Sequence, residues 1–451
     1  MNKSVGFISL GCAKNRIDTE EMLGFLFQQG YRLEENLHKT DCIIINTCGF
    51  IKDAQQESIN TILKIAAEHK RSAVKIVVTG CLVEVFGTKM LHIVPQIDGM
   101  IGVHSYHKLG HVLNMVLSGK RAVACDKPSA SYKTVAPRIL TQPSYSVSVR
   151  IADGCNNRCS YCLIPSIRGP LRSKKPDEIL SEIALLVNQG AKEINLIAQD
   201  TTAYGCDFEK PFTLYHLIKK ILDIKGYFWI RLMYTYPSRI SDDLLQLIAT
   251  EKRVCNYLDM PIQHVNNEIL SRMKRNYSYE SLKDLYNTIR ADFSEIALRT
   301  TCMVGFPGES FRHFSQLLSF ISEKPFNHLG VFTFSAQDKT EAALYNKPVS
   351  GRVSHKRFRL IMEKQKLIAQ NLNYKLIGSN LEILVEGRVK GENNWYFGRC
   401  QYQAPEVDGK VLFSSTKAVL PGTWLIARIA AVDDYNLIAG EVSLPGSDIS
   451  G

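Results

Sequence analysis

Strand-length apolar runs alternate with helical patterns twice along this chain, through residues 5–117 and through residues 145–333, and no other feature constrains its fold as much. Such alternation calls for parallel sheets flanked by helices. In the first stretch the runs lie at 5–10, 41–47, 75–79 and 99–103, with helical patterns at 18–29, 53–70 and 107–117. The expected fold there is α/β, a flavodoxin-like open parallel sheet. Cys12, Cys48 and Cys81 follow the first three runs, each beside a glycine. Loops at the carboxyl ends of strands in an open sheet converge on a shared crevice. Three thiols far apart in sequence are therefore expected to meet as metal ligands. The plainer alternative is three small residues at strand ends, since free Cys often packs as a small hydrophobe.

The second stretch has runs at 145–151, 193–197, 229–234, 257–260, 297–304 and 328–333. Six βα repeats fall short of the eight that close a barrel, so a partial (βα)6 barrel, open at one side, is expected. Its first run leads through Asp153-Gly154 into Cys155-Asn156-Asn157-Arg158-Cys159-Ser160-Tyr161-Cys162. Three thiolates at these spacings can wrap one face of an iron–sulfur cubane and leave one iron open to a small molecule. A zinc knuckle is the competing reading, but zinc sites usually need four ligands and no second pair lies nearby. Other strand ends carry Gln199-Asp200, Gln263-His264 and the Gly305-to-Glu309 turn with its second glycine, Gly308. Chemistry is placed at such ends in βα scaffolds, although turn formation or a satisfied buried polar group explains any one of them. Arg168, Arg172, Lys174 and Lys175 read as a substrate-facing loop or a solvated basic one.

A helical stretch at 354–376 precedes five short strand patterns, 381–387, 395–401, 410–413, 423–432 and 436–442, which point to a small antiparallel barrel. Residues 120–143, with Pro128, Pro137 and Pro143, read as a connection. No apolar run is long enough to cross a bilayer, and Met1-Asn2-Lys3-Ser4 has no signal-peptide anatomy, so no membrane association and a cytoplasmic location are expected. Twelve Cys in a reducing compartment serve metals more often than disulfides. Cys42, Cys125, Cys206, Cys255, Cys302 and Cys400 have no partner logic and are read as structural. The net charge of +11 fits proximity to the ribosome or RNA, or merely a basic surface. Residues 375–451 run the other way, with seven Lys and Arg against nine Asp and Glu, a net −2. Phosphate binding needs clustered cations, so this module suits a basic protein partner better.

In this order, GCAKNRIDTE (residues 11–20), NTCGF (46–50), TGCL (79–82) and CNNRCSYC (155–162) resemble the radical S-adenosylmethionine (SAM) methylthiotransferases. The resemblance implies an N-terminal domain at 1–119, a linker at 120–143, a radical SAM barrel with bridging helix at 144–376, and an oligonucleotide-binding-like TRAM domain at 377–451. It implies two [4Fe-4S] clusters, one on Cys155, Cys159 and Cys162 that binds SAM, and an auxiliary one on Cys12, Cys48 and Cys81. Tyr161, Gln199, Asp200, Gln263, His264, Gly305 and Gly308 would hold SAM or face the substrate. A flavodoxin or ferredoxin would serve as electron donor. GCAKN and residues 404–409 look like the branch that acts on a ribosomal protein, since tRNA-directed members tend to carry Gln-Met between that Cys and Asn. The implied reaction is radical insertion of a methylthio group at the β-carbon of an aspartate in small-subunit ribosomal protein twelve. A tRNA methylthiotransferase acting on a modified adenosine and a non-catalytic metal-containing RNA-binding protein are the alternatives; about eight irons per chain would exclude the latter.

Overall fold

β3 (Cys42–Thr47) shows how the first alternation folds. All six of its residues are buried, and successive side chains of a strand point to opposite faces. Ile44 joins a core with Met22, Leu26, Leu109 and Val112, while Ile43 and Ile45 join another with Ile62, Ile65 and Leu82. Both faces of the sheet are thus covered by helices, and each buried Ile contributes about 1.5–3 kcal/mol. The computed structural model describes residues 3–70, 72–129 and 138–443. Around β3 it has β1 (Ser4–Ser9), α1 (Ala13–Gln28), β2 (Arg32–Leu33), α2 (Lys52–Glu68), β4 (Lys75–Gly80), α3 (Cys81–Phe86), α4 (Lys89–Ile93), β5 (Gly99–Ile101), α5 (Leu109–Leu117) and β6 (Ala122–Ala124). The sheet runs β2-β1-β3-β4-β5-β6, every pair parallel, which is the flavodoxin order with one more edge strand.

β2 and β6 are too short for periodicity to announce them. β6 falls inside the stretch read as a linker, so that stretch begins as an edge strand. Pro137, with the rest of 130–137, lies outside the described residues, as do Met1, Asn2 and residues 444–451.

The chain continues through β7 (Ser146–Arg150), β8 (Ala152–Asp153), α6 (Ile164–Arg168) and β9 (Arg172–Ser173), with β8 and β9 antiparallel. Next come α7 (Pro176–Asn188), β10 (Glu193–Ile197), α8 (Leu214–Leu222), β11 (Trp229–Leu232), α9 (Asp242–Thr250), β12 (Tyr257–Asp259), α10 (Asn267–Arg272), α11 (Tyr279–Asp292), β13 (Ala297–Val304), α12 (Phe311–Glu323) and β14 (His328–Thr333). The six barrel strands pair as β11-β10-β7 and β12-β13-β14, the partial (βα)6 arrangement. Ser241, Asn266, Ser278 and Ser310 each accept a first-turn amide of the helix they precede. Each such cap contributes about 1 kcal/mol and sets where the helix starts.

α13 (Gly351–Tyr374) leads to β15 (Asn380–Arg388), β16 (Trp395–Cys400), β17 (Val411–Ser414), β18 (Trp424–Asp433) and β19 (Asn436–Ser443). These close in the order β15-β16-β17-β19-β18. The barrel expected to be antiparallel has one parallel pair, β17 with β19, because β18 intervenes between them in sequence.

The described elements form two compact units. Unit 1 comprises Met1–Pro143, Arg150–Lys174 and Ser335–Ala343; unit 2 comprises Ser144–Val149, Lys175–Phe334 and Leu344–Gly451. The CxxxCxxC loop therefore packs with the first sheet, although it follows β7 in sequence. A boundary read along the chain at 144 misses this, since the loop returns to a neighbour met 70 residues earlier or more.

Within unit 2 buried charge joins the strands of the partial barrel to the small closed one. Glu193 of β10 bonds Arg231 of β11 at 2.8 Å and Arg399 of β16 at 2.5 Å. Asp408 accepts from the Tyr257 hydroxyl at 2.6 Å and pairs with Arg299 at 3.3 Å. Glu386 pairs with Arg399, Glu382 accepts from the Tyr227 hydroxyl, and Asp434 pairs with Lys366. Four of the nine acids counted in 375–451 are thus paired within unit 2, the Asp434 pair at its surface, and the −2 of this module is not a measure of its outer face. No described helix is long and apolar enough to cross a membrane.

Candidate metal centre

Cys12, Cys48 and Cys81 stand at the carboxyl ends of β1, β3 and β4, and unit 1 brings them together. Gly11 has φ +90°, and a Cβ there would meet Cys48 Cβ at 2.8 Å, so only glycine lets the first two loops approach this closely. Ser58 of α2 fixes the Cys48 backbone, accepting from its amide at 3.1 Å and donating to its carbonyl at 3.0 Å. Asn15 ties all three loops. Its Nδ2 donates to the Leu10 carbonyl at 2.9 Å and the Thr47 carbonyl at 2.8 Å, which turns Oδ1 toward Cys81 Sγ, 3.6 Å away.

Cys12 is exposed, Cys48 half-buried and Cys81 buried. Burial pushes the Cys48 thiol up, and pushes Cys81 up to about 12 against the pull of Arg168; the Cys12 charge bears on both. Left without metal, the two inner thiols would thus stay protonated at neutral pH. Ligation would supply the charge that makes them thiolates.

The CxxxCxxC loop belongs to the same unit. Gly154 has φ +75°, and a Cβ there would meet the Pro170 carbonyl oxygen at 2.0 Å, so glycine is required to turn into the loop. The Cys155 amide donates to the Gly169 carbonyl at 3.1 Å, and Asn156 Oδ1 accepts from the Leu171 amide at 3.0 Å. Both bonds close the base of the loop. The Cys162 amide donates to the Cys159 carbonyl at 3.1 Å, and the Ile164 amide approaches Cys162 Sγ at 3.4 Å. All three thiols are half-buried, as is Tyr161.

Two further connections join the trios. α6 and its N-cap, directly after the loop, pack Ile167 and Leu163 against Cys81. The segment Ser335–Ala343 touches both sides: Ala342 donates to the Ser160 carbonyl at 2.8 Å, and Gln337 accepts from Gln55, which also donates to the Gly49 carbonyl beside Cys48.

The donor set fits iron–sulfur clusters. Both trios offer sulfur alone, which suits iron over oxygen-seeking cations. Among the described residues no three Cys, His, Asp or Glu side chains are drawn together tightly enough for a single metal ion. A cubane held at three corner irons spreads its thiolates wider than one ion does.

In unit 2 the remaining candidates stand at strand ends. Asp200 caps a short 3₁₀ turn, accepting from the Ala203 amide, and binds Arg239 at 2.6 Å. Gln263, with φ +61°, bridges to β13, donating to the Thr301 carbonyl and accepting from the Met303 amide. His264 is fully buried; its Nδ1 accepts from the Asn266 amide at 3.0 Å, so Nε2 carries the proton and faces Glu309 at 3.7 Å. Glu309 is held in turn by Arg357 at 3.0 Å and the Gly305 amide. The close approaches at Gly305 and Gly308 are made by Ser354 and Arg272. Gln199 is half-buried.

Comparison with known proteins agrees with this architecture. Residues 4–102 match the uncharacterized protein family UPF0004, residues 149–321 the radical SAM superfamily and residues 377–442 the TRAM domain. The chain is 41% identical over 440 residues to the ribosomal protein uS12 methylthiotransferase RimO of Caldicellulosiruptor saccharolyticus, covering 97% of this chain and 99% of that one. Its identity to the RimO of Pelotomaculum thermopropionicum is 40% over 445 residues, covering 98% and 100%. The chain belongs to the RimO family. Among solved structures the radical SAM methyltransferase TsrM from Kitasatospora setae shares the fold at TM-score 0.58 and 13% identity, over 76% of this chain and 74% of that one. The cobalamin-dependent radical enzyme OxsB matches at TM-score 0.54 and 12% identity, over 80% of this chain and 56% of that one.

What sequence reasoning missed in this RimO-family chain is the charged core behind the trios. Arg168, Arg172 and Lys174, expected on a substrate-facing or solvated loop, are buried; of that group Lys175 alone is exposed. Arg168 Nη2 reaches Asp18 at 2.6 Å, Asn15 Oδ1 at 3.1 Å and Cys81 Sγ at 3.5 Å. Arg150 bonds Asp18 and, at 2.8 Å, Glu21. Arg172 bonds Asp153 at 3.1 Å. The signal was present in α1, where Asn15, Asp18 and Glu21 recur at a spacing of three. Polar side chains at that spacing share one helix face, and burying such a face requires cations from elsewhere in the chain.

Proposed function

We infer that this protein is a radical SAM methylthiotransferase that modifies ribosomal protein uS12, inserting a methylthio group at the β-carbon of an aspartate. One observation carries the reading: six cysteines from four separate loops are gathered in unit 1, three on strand ends and three in one CxxxCxxC turn. Cys155, Cys159 and Cys162 would hold the SAM-binding [4Fe-4S] cluster, and Cys12, Cys48 and Cys81 the auxiliary one. Bound there, the clusters supply reductive cleavage of SAM and sulfur delivery, chemistry that no side-chain acid, base or nucleophile provides at an unactivated C–H.

The chain's own residues supply position and shielding. Asn15 fixes the spacing of the three strand-end loops, and Ser58 fixes the Cys48 backbone. Gly154, Asn156 and Gly169 close the base of the CxxxCxxC loop that carries its three thiols. Burial of Cys81 against Leu163 and Ile167 keeps water from its sulfur. Tyr161, Gln199 and Gln263, each half-buried, are the proposed contacts to SAM or substrate. Asp200, His264, Gly305 and Gly308 are proposed to shape the strand ends through the bonds described above.

The substrate assignment rests on the RimO relatives and not on the charge of the C-terminal module, four of whose nine acids are paired within unit 2. The TRAM match is consistent with RNA nearby, as when uS12 is met on the ribosome. A cytoplasmic location and a flavodoxin or ferredoxin as electron donor follow from that setting and from the need for single electrons. The test is an anaerobic reaction with SAM and reductant, followed by mass spectrometry of small-subunit ribosomal proteins and tRNA. A methylthio adduct on uS12 alone is expected; an adduct on tRNA alone overturns the assignment.

A further inference from the structure

Arg168 is a charged side chain of unit 1 that comes within hydrogen-bonding distance of a candidate ligand sulfur. Its Nη2 lies 3.5 Å from Cys81 Sγ. Three constraints keep it there. Asn15 Oδ1 accepts from it at 3.1 Å, and Asn15 cannot flip without losing its two bonds to the Leu10 and Thr47 carbonyls. Asp18 accepts from it at 2.6 Å, and Arg150 and the Tyr106 hydroxyl hold Asp18 in turn. Arg168 is 2% exposed, so solvent does not compete for it.

A protonated Cys81 spends its S–H on Asn15 Oδ1. Once ligated, the sulfur has no proton to give and becomes an acceptor, while Asn15 Oδ1 keeps its bond from Arg168. The contact then becomes a charge-assisted N–H···S bond in a dry site, stronger than its neutral form. Reduction potentials of iron–sulfur clusters are set by net charge, hydrogen bonds to sulfur and exposure, and outer residues that orient ligands tune the metal.

We propose that Arg168 is a positioning residue for the auxiliary cluster, donating to the Cys81 thiolate and raising that cluster's reduction potential. This rests on the reading of Cys12, Cys48 and Cys81 as a cluster site. Because Arg168 ends α6, six residues after Cys162, the same side chain also makes the electrostatics of one trio depend on the seating of the loop that carries the other. A guanidinium serves here better than an ammonium, since one nitrogen meets three acceptors while the other approaches Asp153 at 3.9 Å.

The experiment uses the full chain with Cys155, Cys159 and Cys162 replaced by Ala, reconstituted anaerobically with iron and sulfide so that the auxiliary cluster alone forms. Its midpoint potential is followed by EPR-monitored titration with Arg168 intact, R168M and R168K. The expected result is a shift to more negative potential in R168M at unchanged iron content, partly recovered in R168K. Equal potentials in all three, with iron retained, overturn the proposal. The unsubstituted Arg168 form, grown with 15N-arginine, provides a measurement that no folding defect can obscure. A 15N hyperfine coupling to the reduced cluster is expected, and its absence overturns the proposal even if both variants lose iron. If the triple-Ala chain with Arg168 intact takes up no iron, the cluster reading itself fails and the role of Arg168 falls with it.

Discussion

Both units bury arginine–carboxylate networks, yet the two do different work. In unit 1 Arg150, Arg168, Asp18 and Glu21 stand behind the cysteine loops, and the outermost contact of the network is a sulfur. In unit 2 Glu193, Arg231 and Arg399 stand between two sets of strands, and their outer bonds end on the backbone carbonyls of Gln401 and Gln403. Burying charge costs several kcal/mol per ion before partners offset it. The first network sets the environment of ligands; the second ties the small barrel to β10 and β11. What differs is the last acceptor, and that is a matter of position and not of residue type.

The largest effects should come from the thiols. Cys159→Ala should abolish both SAM cleavage and methylthiolated uS12. Cys48→Ala should abolish the product and leave 5′-deoxyadenosine formation in place, both read by chromatography and mass spectrometry. If Cys48→Ala also stopped SAM cleavage, the trios would not have separate duties.

Next are the networks themselves. Glu193→Ala removes the carboxylate that Arg231 and Arg399 share, leaving Arg399 with Glu386 and Arg231 with backbone carbonyls. It should cost about 3–5 kcal/mol, measured by chemical denaturation, with iron uptake per folded chain unchanged. Asp18→Ala should destabilise comparably and also weaken iron retention. Equal iron loss in both variants would erase the distinction drawn between the networks.

Acid should separate them in sign. Burial alone would raise the Glu193 pKa, but Arg399 and Arg231 outweigh it and hold the carboxyl well below the usual range. Its contribution is therefore present above the unfolded value of about 4.3 and is lost as pH falls toward the folded value. Burial raises the Glu21 pKa, and Arg150 offsets this only in part. Its contribution is present below about 4.3 and is lost as pH rises through the folded value. Glu193→Gln should flatten the acid limb of the stability curve and Glu21→Gln should steepen it.

The smallest effect is expected at Asp434, half of an exposed pair with Lys366 at 2.7 Å. Asp434→Ala should leave the denaturation midpoint where it is, because exposed pairs gain little over water. A measurable loss would show that surface charge matters to unit 2 as burial does.

The two trios were unequally legible. Cys155, Cys159 and Cys162 lie within eight residues, so spacing alone declares them. Cys12, Cys48 and Cys81 span seventy residues and become a group only through the rule that parallel strands bring their carboxyl ends together. A strand such as β3 was readable because burial on both faces gives a continuous apolar run, Cys42 to Ile45. β2 and β6, at two and three residues, were not, since edge pairing and not composition makes them strands. Arg168 and Arg172 looked like surface charge because a sequence does not show which carboxylates will arrive beside them.

From its residues alone this chain determined the alternation that yields its sheets, the thiols at their ends and the glycines that turn the loops. Those follow from periodicity and backbone sterics, which act over a few neighbours. Tertiary structure decided that the CxxxCxxC loop packs with the first sheet, that Asn15 spans three loops, and that Arg168 points at a sulfur. These depend on long-range burial, where a charge is tolerated only if a partner from a distant segment meets it.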